Sequence, residues 1–89
     1  ESLIVTIDGG EVASPFGTPA TLRGAVDGSP SNAVFTWYVN GSAADSGVEE
    51  ITISGDTPGH YRVDLIVVTA DGASGGMGTT WVDIEEPAL

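Results

Sequence analysis

Two strand-like segments in the middle of the chain constrain its fold more than any other feature. Residues 33–39 are rich in β-branched and aromatic side chains and end at Asn40-Gly41, the strongest short signal for a hairpin turn. Residues 61–69 follow the turn formers at 57–59 and begin with Tyr61. Because successive side chains of a strand point to opposite faces, Trp37 is predicted to face the interior. The two segments therefore predict a sheet packed around a central tryptophan.

The same signals recur along the chain and predict an all-β fold. No segment shows the periodicity of an amphipathic helix. Glycines at 72, 75, 76 and 78 predict a mobile or bulged start of the last strand. Further strand-like segments occupy residues 3–7, 20–26, 48–54 and 78–84, with weaker ones within 11–19 and at 42–45. The predicted inward-facing residues are Leu22, Val26, Phe35, Trp37, Val39, Ile51, Ile53, Tyr61, Val63, Leu65, Val67, Val82 and Ile84.

This order of strands is typical of an immunoglobulin-like sandwich. In such folds a tryptophan lies on the third strand, and a tyrosine hydroxyl holds the corner before a later strand; Trp37 and Tyr61 occupy those places. The chain has no cysteine, so apolar contacts of Leu22 and Val63 with Trp37 are expected where antibody domains have a disulfide. The predicted fold class is all-β: an immunoglobulin-like (Ig/PKD-type) β-sandwich of about seven antiparallel strands with no disulfide.

Charge excludes several classes of partner. Thirteen acidic residues stand against two arginines in 89 residues, which gives a formal net charge of −11. Such a surface repels phosphate, so we expect no nucleic acid partner. No apolar run is long enough to span a bilayer, and we expect no membrane insertion. We expect residues 1–89 to form a single domain, monomeric in isolation and excised from a longer chain.

Few residues have the chemistry of a catalytic or metal site. His60 is the single histidine, and the chain has no cysteine to complete a zinc site. Because serines occur only in scattered turns, His60 is also a poor candidate for a catalytic triad. Most carboxylates fall at turns or outward positions, where solvation explains them. Asp27, Asp56 and Asp71 occupy three loops, and a calcium site among them stays an open alternative. We therefore expect no catalytic residue, no metal and no cofactor: the domain is not an enzyme.

One predicted surface is less polar than an isolated domain requires. If Trp37 and Val63 point inward, the opposite face of the same strands carries Thr36 and Thr79 beside two aromatic and two aliphatic side chains. Exposed apolar patches mark contact surfaces. Cross-strand stabilisation of the sheet, or a shifted register, is the alternative interpretation. The candidate binding patch consists of Tyr38, Ile66, Val68 and Trp81.

These motifs carry a family resemblance over residues 20–84. Residues 35–41, then 58–63, then an apolar strand and Asp71-Gly72, resemble bacterial and phage immunoglobulin-like domains. PKD domains are similar but have Trp-Asp-Phe-Gly-Asp-Gly where this chain has residues 37–41. The Trp-Tyr-Val pattern more closely resembles the modules of outer-capsid decoration proteins of tailed bacteriophages, including T5-like head decoration proteins.

The resemblance implies a non-enzymatic module displayed on the exterior of a capsid. It implies that an N-terminal segment of the parent chain binds capsid proteins, and that the module attaches weakly to host-surface glycans. The alternative is an accessory module of a bacterial extracellular adhesin or polysaccharide-active enzyme, at the cell surface or outside the cell. No functional residue of either group can be transferred to this chain.

Overall fold

The computed structural model describes residues 3–27 and 32–87. Within these ranges every regular element is a strand, and no helix is long and apolar enough to cross a membrane. The strands are β1 (Val5–Asp8), β2 (Val12–Ser14), β3 (Ala20–Val26), β4 (Ala33–Val39), β5 (Ser42–Ser46), β6 (Glu50–Ile53), β7 (Gly59–Thr69) and β8 (Gly75–Ile84).

Two sheets form the sandwich. One sheet has the order β1-β3-β6, and the other has the order β2-β8-β7-β4-β5. Every pair is antiparallel except β2 with β8, where Val12 lies beside Val82 in parallel register. The chain passes from β1 to the other sheet without reversing direction, with positive φ at Gly9 and Glu11, so β2 meets β8 in parallel. The expected sandwich fold is confirmed, and the expectation of antiparallel pairs throughout is corrected at this edge.

The core lies between the sheets around Trp37. Its indole Nε1 donates a hydrogen bond of 2.8 Å to the carbonyl oxygen of Val48, which satisfies the one polar atom of a buried ring. Leu22 and Val63 are fully buried in opposite sheets, at the places where antibody domains have a disulfide. The fully buried side chains are Leu22, Trp37, Val63, Leu65, Val67 and Val82.

Some residues predicted to face inward are half-buried. Val26, Phe35, Val39 and Tyr61 contact the core from its margin. Phe35 and Val26 line an open cleft of about 510 Å³ beside β3 and β4, together with Glu49. Their partial exposure follows from the edge of the sandwich, where the second sheet no longer covers the first.

Two local structures fix the start of β7. The hydroxyl of Tyr61 donates to the carbonyl oxygen of Thr57 at 2.6 Å, which is the contact that a tyrosine corner requires. Near the same end, Asn40 and Gly41 have φ of 52° and 85°, the two positive values of a type I′ hairpin turn. The Asn40 side chain also accepts a hydrogen bond of 2.9 Å from the backbone N–H of Arg62, so the β4–β5 turn is tied to β7.

The glycines that precede Thr79 have a different structural role from the predicted one. Strand β8 pairs with β7 in unbroken register from Gly75 to Ile84, so the expected bulge is wrong. A Cβ atom at Gly76 would overlap the carbonyl oxygen of Leu3, and one at Gly78 would lie 2.8 Å from that of Val5. These glycines let the start of β1 and the residue Leu3 before it approach β8 closely.

Candidate binding face

The outward side of the five-stranded sheet, here called the outer face, is built from three neighbouring strands. Their register fixes which side chains are opposite one another. The outer face consists of Val34, Thr36 and Tyr38 on β4, His60, Arg62, Asp64, Ile66 and Val68 on β7, and Met77, Thr79, Trp81 and Asp83 on β8.

The four residues of the candidate patch all lie on this face but do not form one group. Trp81 is opposite Arg62, whereas Tyr38 is opposite Asp64. Trp81 is therefore displaced from Tyr38 by about 7 Å along the strands and about 10 Å across them. Val68 lies about 20 Å along the strands from Trp81. The expected juxtaposition of two aromatic and two aliphatic side chains is thus corrected: Trp81 lies apart from Ile66 and Val68, and Tyr38 lies between them.

Charged residues occupy the middle of the face and neutralise one another. The Arg62 guanidinium lies 3.3 Å from Asp64 Oδ2, and the Thr79 hydroxyl donates to Asp64 Oδ1 at 2.8 Å. Both carboxylate oxygens of Asp64 are thereby used, and its side chain is only 15% exposed. This band separates an aromatic end from an apolar end.

The aromatic end, here called the Trp81 cluster, comprises His60, Trp81 and Asp83. The rings of His60 and Trp81 are stacked with centroids 5.8 Å apart and an angle of 25° between their planes. Nδ1 of His60 lies 2.5 Å from Asp83 Oδ1, which anchors the imidazole. Trp81 remains 36% exposed.

The opposite end, here called the apolar cluster, comprises Val34, Ile66, Val68 and Met77. Val34 lies opposite Val68, and Ile66 lies opposite Met77. Val34, Val68 and Met77 are 45%, 40% and 62% exposed, and Ile66 is half-buried. Val34, Met77, His60 and Asp83 were not among the predicted patch residues. The two-residue period reaches all of them when it is extended from Tyr38, Ile66 and Trp81.

Most other carboxylates lie away from this face. On the smaller sheet, Arg23 contacts Glu49 at 3.1 Å and Glu50 at 3.4 Å. In the β7–β8 turn, Asp71 accepts hydrogen bonds from the Ala73 N–H at 2.9 Å and the Thr69 hydroxyl at 2.7 Å. Those two bonds, the backbone one first, lower the pKa of Asp71.

The loop aspartates considered for calcium do not converge. Asp56 precedes β7 and Asp71 follows it, so the length of that strand, about 33 Å, separates them. Asp27 lies at the same end as Asp71, where its N–H donates to the carbonyl oxygen of Ile4. Among residues 3–27 and 32–87, no three His, Cys, Asp or Glu side chains are grouped so that they could hold a metal ion.

Comparison with solved structures finds the CARDB domain of a protein from Pyrococcus furiosus. Its solution NMR structure has a TM-score of 0.60 and 16% identity, covering 93% of this chain and 95% of that chain. A crystal structure of the CARDB domain from the same protein, in complex with di-metal ions, has a TM-score of 0.60 and 18% identity, covering 93% and 94%. No protein-family profile and no curated protein matches the sequence.

These likenesses show that the chain has an immunoglobulin-like β-sandwich fold. Nothing in them indicates a capsid decoration protein, so that part of the resemblance stays a hypothesis.

Proposed function

We propose that this domain is a non-enzymatic immunoglobulin-like accessory module that contacts neutral carbohydrate weakly through its outer face. The observation that carries the proposal is the contrast between this face and the rest of an acidic surface. On the outer face both carboxylates, Asp64 and Asp83, have partners within the face. Aromatic and apolar side chains are exposed on either side of them.

Neutral carbohydrate fits this contrast better than a charged polymer does. A net charge of −11 repels anionic glycans and nucleic acids at long range. A sugar ring has apolar C–H faces that pack on aromatic rings, and hydroxyl groups that bond to polar neighbours. The outward side of the smaller sheet instead carries Thr21 and Thr52, whose hydroxyls contact each other, and Arg23, which is paired with Glu49.

Weak affinity suits such a shallow surface. A dissociation constant of about 1 mM corresponds to only about 4 kcal/mol of binding free energy. Several copies on one particle or one polymer raise the effective affinity by avidity. The same logic applies to a module of a cell-surface or secreted protein and to one on a virion.

We favour an accessory module of a cell-surface or extracellular protein, with capsid decoration as the alternative. The likeness to a CARDB domain is compatible with the first setting. An antibody against the domain distinguishes them: detection in envelope or secreted fractions supports the accessory module, and detection on purified virus particles supports capsid decoration.

The carbohydrate proposal is tested by NMR titration of the ¹⁵N-labelled domain with maltohexaose, cellohexaose and chitohexaose at millimolar concentrations. We expect shift changes on β4, β7 and β8 with at least one of them. The double variant Tyr38→Ser/Trp81→Ser should weaken binding, whereas Thr21→Ser/Thr52→Ser on the opposite sheet should not. Changes confined to loops or to the smaller sheet, or no change with any oligosaccharide, would contradict the proposal.

A further inference from the structure

We infer that carbohydrate binds at the Trp81 cluster rather than across the whole outer face. A sugar ring stacks on the Trp81–His60 surface, and Asp83 and Arg62 bond to its hydroxyl groups. This inference rests on the proposed function and specifies which half of the face performs it.

The Trp81 cluster combines the two chemistries that a sugar requires. A pyranose needs a flat apolar surface for its C–H face and polar groups around the rim of that surface. The rings of Trp81 and His60 are stacked, with centroids 5.8 Å apart and planes inclined by 25°, so the imidazole supports the indole while 36% of Trp81 stays exposed for contact with a sugar ring. The apolar cluster offers only aliphatic and thioether side chains. Tyr38, between the two clusters, is half-buried beside Asp64, whose oxygens are both engaged.

The polar groups around Trp81 keep hydrogen-bonding capacity. His60 uses Nδ1 toward Asp83 Oδ1, so Nε2 and Asp83 Oδ2 have no hydrogen-bond partner among the described residues. Arg62, directly opposite Trp81, uses Nη2 toward Asp64 and keeps further N–H donors on an exposed side chain. Hydrogen-bond donors and acceptors are therefore both present around the rings, which suits sugar hydroxyl groups because each of them can donate and accept.

The cluster is also held in place before any ligand arrives. The imidazole of His60 is fixed on one side by Asp83 and on another by the stacked indole. Its residues lie on paired strands rather than on loops. A preorganised surface loses less conformational entropy on binding, which matters most when the gross interaction energy is small.

The test compares matched variants at the two ends of the face. Trp81→Ser removes the ring, Asp83→Asn weakens the anchor of His60, and Val68→Thr is the control at a similarly exposed position of the apolar cluster. Using whichever of maltohexaose, cellohexaose and chitohexaose binds the unmodified domain, we expect about tenfold weaker binding for Trp81→Ser. We expect about threefold weaker binding for Asp83→Asn and no change for Val68→Thr. The Trp81 indole N–H resonance of the unmodified domain should shift, a readout that needs no variant to fold.

Two contrary outcomes are distinguishable. Shift changes centred on Val34, Val68 and Met77, with Val68→Thr weakening binding and Trp81→Ser not, would overturn this inference and leave the proposed function standing. No shift anywhere on the outer face with any of the three oligosaccharides would overturn both.

Discussion

At the scale of single residues, Trp37 stabilises the sandwich in two ways. It fills the centre of the core with a ring that is fully buried, and its Nε1–H satisfies the carbonyl of Val48. We expect Trp37→Ala to lower the free energy of unfolding by about 3–5 kcal/mol, because it leaves a cavity and an unsatisfied carbonyl. Urea denaturation measures the change. Trp81→Ala, on the outer face, should cost much less, and equal losses for the two variants would contradict the assigned core.

Tyr61 makes a single polar contact whose removal leaves the ring in place. Its hydroxyl lies 2.6 Å from the carbonyl oxygen of Thr57. Tyr61→Phe should lower the free energy of unfolding by about 1 kcal/mol, the net value of one such hydrogen bond. Tyr38→Phe is the matched control, since the Tyr38 hydroxyl bonds to no other residue in the described ranges. An unchanged urea midpoint for Tyr61→Phe would show that the hydrogen bond from Tyr61 to Thr57 does not stabilise the domain.

At the scale of elements, the contact between β8 and the segment leading into β1 depends on glycine. Because a Cβ atom at Gly76 would overlap the Leu3 carbonyl, Gly76→Ala must displace that segment. We expect a loss of about 1–3 kcal/mol, typical of overpacking, and faster amide exchange at the start of β1. Gly75→Ala is the control, because a Cβ atom at that position would come no closer than 3.3 Å to any atom beyond the adjacent residues, the nearest being the carbonyl oxygen of Val67. If both variants have the same stability, close approach is not the reason for Gly76.

The β7–β8 turn contributes stability that depends on pH. Hydrogen bonds from Ala73 and Thr69 lower the pKa of Asp71 below its ordinary value of 3.8, so the ionised form is favoured in the folded state. The contribution is therefore fully present above that ordinary value and is lost as pH falls through the lowered pKa.

Asp71→Asn keeps an acceptor oxygen but cannot ionise, and so isolates the effect. Unfolding at neutral pH should show the unmodified domain to be more stable than the variant, and the difference should shrink in acid. A difference that stays constant from neutral pH to below 3.8 would show that ionisation of Asp71 plays no part.

At the scale of the whole molecule, the acidic surface opposes folding. A net charge of −11 on a small domain creates repulsion that unfolding relieves. We expect the urea midpoint to rise when sodium chloride screens the charges, with most of the rise complete once the Debye length falls to about 8 Å. Sodium sulfate compared at equal ionic strength separates screening from salting-out. A midpoint that is indifferent to sodium chloride would mean that the charges are too far apart to interact.

The sequence by itself determined the sandwich. Alternation along residues 33–39 and 61–69, Asn40-Gly41 and the position of Tyr61 are local signals, and each acts within one strand or turn. They were sufficient to place Trp37, Leu22 and Val63 in the core. They also gave the side of the sheet on which Tyr38, Ile66, Val68 and Trp81 lie, because that side follows from parity along a strand.

Only the tertiary structure decided which of those side chains are neighbours. The alternation of side chains along a strand does not fix the register between neighbouring strands. A two-residue change in register keeps every residue on its face of the sheet but gives it different neighbours. The observed register places Arg62 opposite Trp81 and Asp64 opposite Tyr38, which divides the expected patch and brings His60 and Asp83 to the tryptophan. The close approach of Leu3 to Gly76, and the parallel course of β2 along β8, likewise depend on where the sheets pack, which no local signal encodes.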